Sequence, residues 1–99
     1  VGIYLNSSNE LIGKEVIAKG SLNVVRVLPR DILYYALKYN CNGIIIAHNH
    51  PNGSSRPSEE DVNFTKKLSQ LALEMGFEIL DHIIVGKNDY FSFAEKGLL

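Results

Sequence analysis

The sequence predicts an α/β domain, a mixed β-sheet flanked by two helices. Two amphipathic stretches predict the helices. After Pro29, the residues Ile32, Leu33, Ala36 and Leu37 recur at helical spacing. After Ser58, the residues Val62, Thr65, Leu68, Leu71, Ala72 and Met75 do the same. Around them lie short β-branched runs bounded by Gly, Asn, Ser and Pro, which predict strands. The resulting order, β-β-α-β-α-β-β, is that of two helices laid on a sheet.

Each element has its own justification. Ile3-Tyr4-Leu5 followed by Asn6-Ser7-Ser8-Asn9 reads as a short strand ending in a turn. Leu11 to Ala18 resumes an extended pattern, Gly20 marks a bulge or bend, and Leu22 to Val27 continues as strand. The first third is therefore a hairpin-like β region. Pro29 suits a first helical turn, where the N–H it lacks would have no partner. The segment from Asn40 to Gly43 ends that helix. Gly43-Ile44-Ile45-Ile46-Ala47 is continuous and apolar, as in a strand buried on both faces. From His48 to Pro57 the chain is a polar loop. Ser58 caps the second helix. Asp61, three residues on, forms a capping box that should be only partial, because Asp is shorter than the usual Glu. Gly76 closes the helix. Ile79-Leu80 and His82 to Val85 form a strand, Lys87-Asn88-Asp89 a turn, and Tyr90 to Phe93 the last strand.

The composition narrows the function classes. A chain of 99 residues fits one domain, and 45% hydrophobic with 21% charged residues is that of a folded protein. The net charge of -1 argues against electrostatic capture of nucleic acid or of an anionic membrane. Lys66-Lys67, the one adjacent basic pair, reads as a solvated helix face, and Arg26 and Arg30 stand alone. No apolar run approaches the roughly 18 residues of a membrane-spanning helix, and no signal peptide opens the chain. The sequence begins at Val1 and reads as a domain cut from a longer protein. One cysteine, Cys41, excludes an internal disulfide and fits a reducing, cytoplasmic compartment. Its setting between a helix and an apolar strand suits a small buried group. No nearby pattern supplies the base that a nucleophile needs.

One stretch carries chemistry. His48 and His50 sit two residues apart just after a buried strand, and in extended backbone residues i and i+2 point to the same side. The loop then returns to a helix whose first turn carries Asp61. Two imidazoles, one carboxylate and an open fourth position make a catalytic zinc arrangement. Mn²⁺, Fe²⁺ or Co²⁺ would accept the same ligand types. A helix N-terminus behind the site adds a potential that favours anions. The bland reading is two surface histidines and an Asp that only caps. His82 has two readings as well. The first is a structural histidine bonded to a backbone group, and the second a contact beside the metal. A direct ligand role is redundant with three donors already present.

The spacing His48-x-His50-x(7)-Ser58-x(2)-Asp61 resembles the JAMM motif of MPN-type metalloproteases. More narrowly, the chain is similar to the C-terminal domain of the RadC family. The matching residues are Pro29-Arg30-Asp31, Ala47-His48-Asn49-His50-Pro51-x-Gly53, Pro57-Ser58-x-x-Asp61, Asp81-His82-x-Ile84-Val85-Gly86 and Ser92-Phe93-x-Glu95-x-Gly97. They run over nearly the whole chain. The resemblance implies a cytidine-deaminase-like JAMM (MPN) domain over residues 1–99. It implies zinc held by His48, His50 and Asp61, with water as fourth ligand. The metal lowers the pKa of that water from ~15.7 toward ~7.

The resemblance also calls for an upstream glutamate that takes a proton from the water and passes it to the leaving amine. Glu15, in a strand leading into Val16-Ile17-Ala18, is the choice, with Glu10 in the turn behind it. The plain reading of both is an exposed carboxylate. Glu59 and Glu60 suit the helix dipole and are read as structural. Ser58 matches the motif serine, whose hydroxyl stabilises the oxyanion. The implied chemistry is hydrolysis of a peptide or isopeptide bond in a peptide or protein substrate. Asn49 stands where many deubiquitinating JAMM enzymes carry serine, and the chain is short for their insertions, which argues against ubiquitin-like substrates.

RadC-type proteins carry an N-terminal helix-hairpin-helix region that is not visible here, and the family label of DNA repair has no physical support in these residues. A metal-binding scaffold without turnover, linked to DNA processing, is the competing reading. A nuclease of the HNH type, suggested by the literal His-Asn-His at 48–50, is set aside. That name refers to residues spread through a ββα motif, and the charge suits DNA poorly. An exposed sheet edge could pair with a second copy to give a homodimer.

Overall fold

The structure, a computed structural model, describes residues 1–17, 27–50 and 52–99. Strand β1 (Gly2–Leu5) turns into β2 (Leu11–Glu15) through an Asx turn, in which Asn6 Oδ1 accepts from the Ser8 and Glu10 N–H groups, both at 2.9 Å. Helix α1 (Pro29–Tyr39) follows, then β3 (Gly43–Asn49), α2 (Glu59–Glu74), β4 (Glu78–Val85) and β5 (Tyr90–Ser92). Among the described residues the expected order β-β-α-β-α-β-β is the observed one. The sheet order is β2-β1-β3-β4-β5. β3 and β4 are parallel and the other neighbours antiparallel. The unit β3-α2-β4 is thus a parallel crossover. In such units ligands gather at the carboxyl ends of the strands, where the helix N-terminus also lies.

Both helices pack on one face of the sheet. Tyr4, Ile44, Ile46 and Ile79 meet Ile32, Leu33 and Ala36 of α1 and Leu68 and Ala72 of α2 in a single core. The Tyr4 hydroxyl donates to the Ile32 carbonyl at 2.8 Å, so its polar tip is satisfied inside that core. Helix packing on one side corrects the expectation that β3 is buried on both faces. Ile44 and Ile46 are buried, whereas Ile45 and Ala47, which point the other way, are half-buried. Cys41 lies in the core as expected, and burial pushes its thiol up from the ordinary value.

Two of the boundaries that differ from expectation bear on the site. β3 runs on to Asn49, so His48 is a strand residue and not the start of a loop. Its pairing with β4 continues through His48↔Ile84 and Asn49↔Val85. β2 stops at Glu15, short of the expected extension to Ala18. Ala18, the Gly20 bend, the strand residues Leu22 to Arg26, and Pro51 lie outside the described residues. Among the described residues no helix is long and apolar enough to cross a membrane.

Candidate metal centre

The carboxyl end of β3 presents His48 and His50 on the side of the sheet that carries the helices, because strand alternation continues the series Ile44, Ile46, His48, His50. Asp61 enters from the first turn of α2. His50 Nε2 lies 2.9 Å from Asp61 Oδ2, and His48 Nε2 lies 3.5 Å from Asp61 Oδ1. One donor atom from each of the three residues falls within 4.8 Å of the others. Ligand distances of ~2.0–2.2 Å around a tetrahedral ion require donors about 3.3 Å apart. The two histidine–Asp61 spacings bracket that value and all three donors lie within 4.8 Å, an arrangement compatible with a small divalent cation.

The capping box at this helix is complete, not partial. Ser58 N–H donates to Asp61 Oδ2 at 2.8 Å, and Asp61 N–H donates to Ser58 Oγ at 3.0 Å. Asp is long enough here, and one carboxylate both caps α2 and faces the histidines. Burial alone would raise the Asp61 carboxyl, but the hydrogen bonds from Ser58 and the neighbouring His48 and His50 outweigh it and hold the group below its usual range. Burial lowers His48, and His50 adds to that effect while Asp61 opposes it. Both shifts favour the deprotonated forms that metal ligands must take.

The chain contains three histidines, and all three converge here. His82, on β4 beside Ile46, places Nε2 at 2.9 Å from His48 Nδ1. Its other nitrogen, Nδ1, lies 2.6 Å from Thr65 Oγ1. Phe93 stacks on the ring, with centroids 4.7 Å apart and planes 7° from parallel. His82 therefore takes the second of its two readings, a contact beside the candidate ligands, and its side chain bonds no backbone group. Burial first and His48 second hold it down at about 4, so it is neutral near pH 7.

The loop between β3 and α2 is tied to the turn after β4. Gly53 N–H donates to the His50 carbonyl at 3.0 Å, and Lys87 N–H to the Gly53 carbonyl at 2.8 Å. Gly53 has φ +79°, a conformation that favours glycine. Gly86 packs so closely that a Cβ there would sit 3.0 Å from the Ser55 backbone nitrogen.

Comparison with known proteins identifies the family. The family model described as the RadC-like JAB domain matches residues 1–98. The chain belongs to the RadC-like JAB family. A UPF0758 protein of Aquifex aeolicus is 50% identical to this JAB domain over 99 residues, all of the chain and 43% of the relative. Similar proteins from Streptococcus suis (46% over 97 residues) and Clostridium botulinum (45% over 97 residues) are covered to 39% and 42% of their lengths. The JAB domain thus spans about two fifths of the curated relatives it matches.

Two further residues singled out in the JAB sequence are placed differently from the trio. Ser58 is adjacent to it, as the helix cap. Glu15 is not in the cluster. It pairs with Gly2, which pairs with Ile46, so it lies two strands from β3, roughly 10 Å across the sheet. There it accepts a hydrogen bond from the Tyr39 hydroxyl of α1. Sequence reasoning passed over Thr65 as a site residue. The available signal was a hydroxyl residue four positions after Asp61, on the apolar stripe of the helix.

Proposed function

We propose that this JAB domain is a zinc-dependent hydrolase acting on peptide or isopeptide bonds, with His48, His50 and Asp61 as the metal ligands. The observation that supports this reading is the convergence of three protein donors at a place solvent still reaches. The side chains of His48, His50 and Asp61 keep 34%, 19% and 19% of their exposure. Structural zinc sites are closed by four protein ligands, whereas hydrolytic sites keep one position open. Imidazole and carboxylate donors without thiolate suit zinc. When bound, the ion supplies a Lewis acid that makes water a competent nucleophile near neutral pH.

The chain's own residues do the rest. His48 and His50 would hold the ion through ring nitrogens, and Asp61 would supply the negative charge. The Ser58 hydroxyl accepts from Asp61 N–H, which leaves its proton to donate to an oxygen gaining negative charge. Glu15 shuttles the proton from water to the leaving amine once its side chain leaves Tyr39. One observation favours a second reading, a metal-binding scaffold linked to DNA processing: Glu15 is held by Tyr39, away from the trio.

Elemental analysis of protein purified without a His-tag or added zinc decides the metal. About one zinc per chain is expected, lost in His50→Ala, and retained zinc in that variant would refute the ligand assignment. A peptide and isopeptide screen then separates enzyme from scaffold. Glu15→Gln should keep the zinc and lower turnover by roughly 10²–10⁴-fold. Unchanged turnover would assign the base elsewhere.

A further inference from the structure

We propose that Thr65 and His82 are positioning residues that fix the tautomer of His48, turning its Nε2 lone pair toward His50 and Asp61. The inference rests on the proposed metal-ligand role of His48. It follows from hydrogen-bond direction along one buried chain of groups. Thr65 Oγ1 lies 2.7 Å from the Asp61 carbonyl oxygen. Two oxygens that close repel unless a proton lies between them, and a carbonyl has none, so the Thr65 hydroxyl donates. That hydroxyl has a single proton. Its contact with His82 Nδ1 at 2.6 Å must therefore be one it accepts, and His82 carries its proton on Nδ1. A neutral imidazole protonated at Nδ1 offers only a lone pair at Nε2. His48 Nδ1, 2.9 Å away, must then donate, and His48 keeps its lone pair on Nε2, the atom facing Asp61.

The reversed chain fails at its far end. With Thr65 donating to His82 and His82 donating to His48, the Thr65 and Asp61 oxygens would face each other at 2.7 Å with no proton, and His48 Nε2 would carry the hydrogen. Among the described residues no other hydrogen-bond partner meets the Thr65 and His82 side chains. Thr65 is 1% and His82 3% exposed, and Phe93 covers the His82 ring. The chain also closes on itself, because the carbonyl at its end belongs to Asp61, a member of the same trio. A fixed ring orientation and tautomer raise metal affinity, and losing such a support typically costs about 10–100-fold.

The test uses chelator-treated protein first. Long-range ¹H–¹⁵N correlation of the imidazole rings should show protonated Nδ1 and unprotonated Nε2 on both His48 and His82. Protons on Nε2 of both rings would overturn the proposal, and this readout requires no variant to fold. Zinc affinity by chelator competition follows. Thr65→Val, which keeps the shape and loses the hydroxyl, should bind zinc at least about 10-fold more weakly and lose the fixed tautomers. Thr65→Ser should restore both. Wild-type affinity in folded Thr65→Val would overturn the proposal. Wild-type protein that takes up no zinc would overturn the metal reading, and with it the purpose of the relay, even if the tautomers are as described. Zinc uptake with reversed tautomers would overturn the relay alone.

Discussion

The trio at the end of β3 and Glu15 at the end of β2 occupy the same face of one sheet, yet they are held in different ways. His48, His50 and Asp61 belong to a single stretch of 14 residues within one crossover unit. Their meeting follows from strand alternation, one loop and a helix cap, and a parallel neighbour supplies His82 beneath them. Glu15 reaches the same face only through two strand pairings, β2 on β1 and β1 on β3. Its side chain is held by a phenol of α1 and touches none of the trio. The candidate ligands are thus brought together by local structure, while Glu15, the proposed proton carrier, lies on the outermost strand among the described residues.

Asp61 offers the sharpest way to break the first region. Its carboxylate faces both histidines and closes the cap of α2. Asp61→Ala should abolish stoichiometric zinc uptake and also destabilise the metal-free protein by about 1 kcal/mol through the lost cap. Elemental analysis and urea melts of the metal-free form measure the two effects separately. Stoichiometric zinc in the variant would show that the trio does not hold the ion.

The same contrast explains what could be read from the sequence. The order of elements was legible because each carries its own periodicity and punctuation. The trio was legible because i, i+2 and helix-cap spacings are local. The choice between the two readings of His82 was not, since its partner Thr65 lies on another element and the parallel register of β3 on β4 had to be known. The completeness of the Ser58–Asp61 box was also missed, because reach depends on the actual cap geometry and not on side-chain length alone. Burial on one face only was hidden for a similar reason: Ile45 and Ile46 look alike until both helices are seen to share a side.

Acid should weaken the first region next. In the metal-free protein His82 is neutral, faced by His48, Asp61, Asp81 and His50, and held at about 4 against 6.5 in the unfolded chain. Between those values the unfolded state binds the extra proton. Stability is therefore full above pH 6.5 and declines as pH falls toward 4, by an amount on the order of 3 kcal/mol. Urea midpoints of chelator-treated protein across that range measure it, and a flat profile would place the His82 ring in a wetter setting. Ser58→Ala should cost less, about 1 kcal/mol, because Ser58 is exposed and acts as a cap. Its zinc uptake should remain stoichiometric, since Asp61 keeps its carboxylate.

The smallest effect sharpens the other side of the comparison. Tyr39→Phe removes the hydroxyl that holds Glu15 and leaves the ring against Tyr4, whose centroid is 5.4 Å away. Both partners are only partly buried, so the stability loss should be about 0.5 kcal/mol. Zinc affinity should not change, because no group of the trio contacts Tyr39. Turnover is the informative readout. If Glu15 must leave Tyr39 to move protons, freeing it should leave hydrolysis equal to or faster than that of the wild type. A strong loss of turnover with zinc intact would mean instead that the phenol helps place the carboxylate for its work, and that β2 is already in its working arrangement.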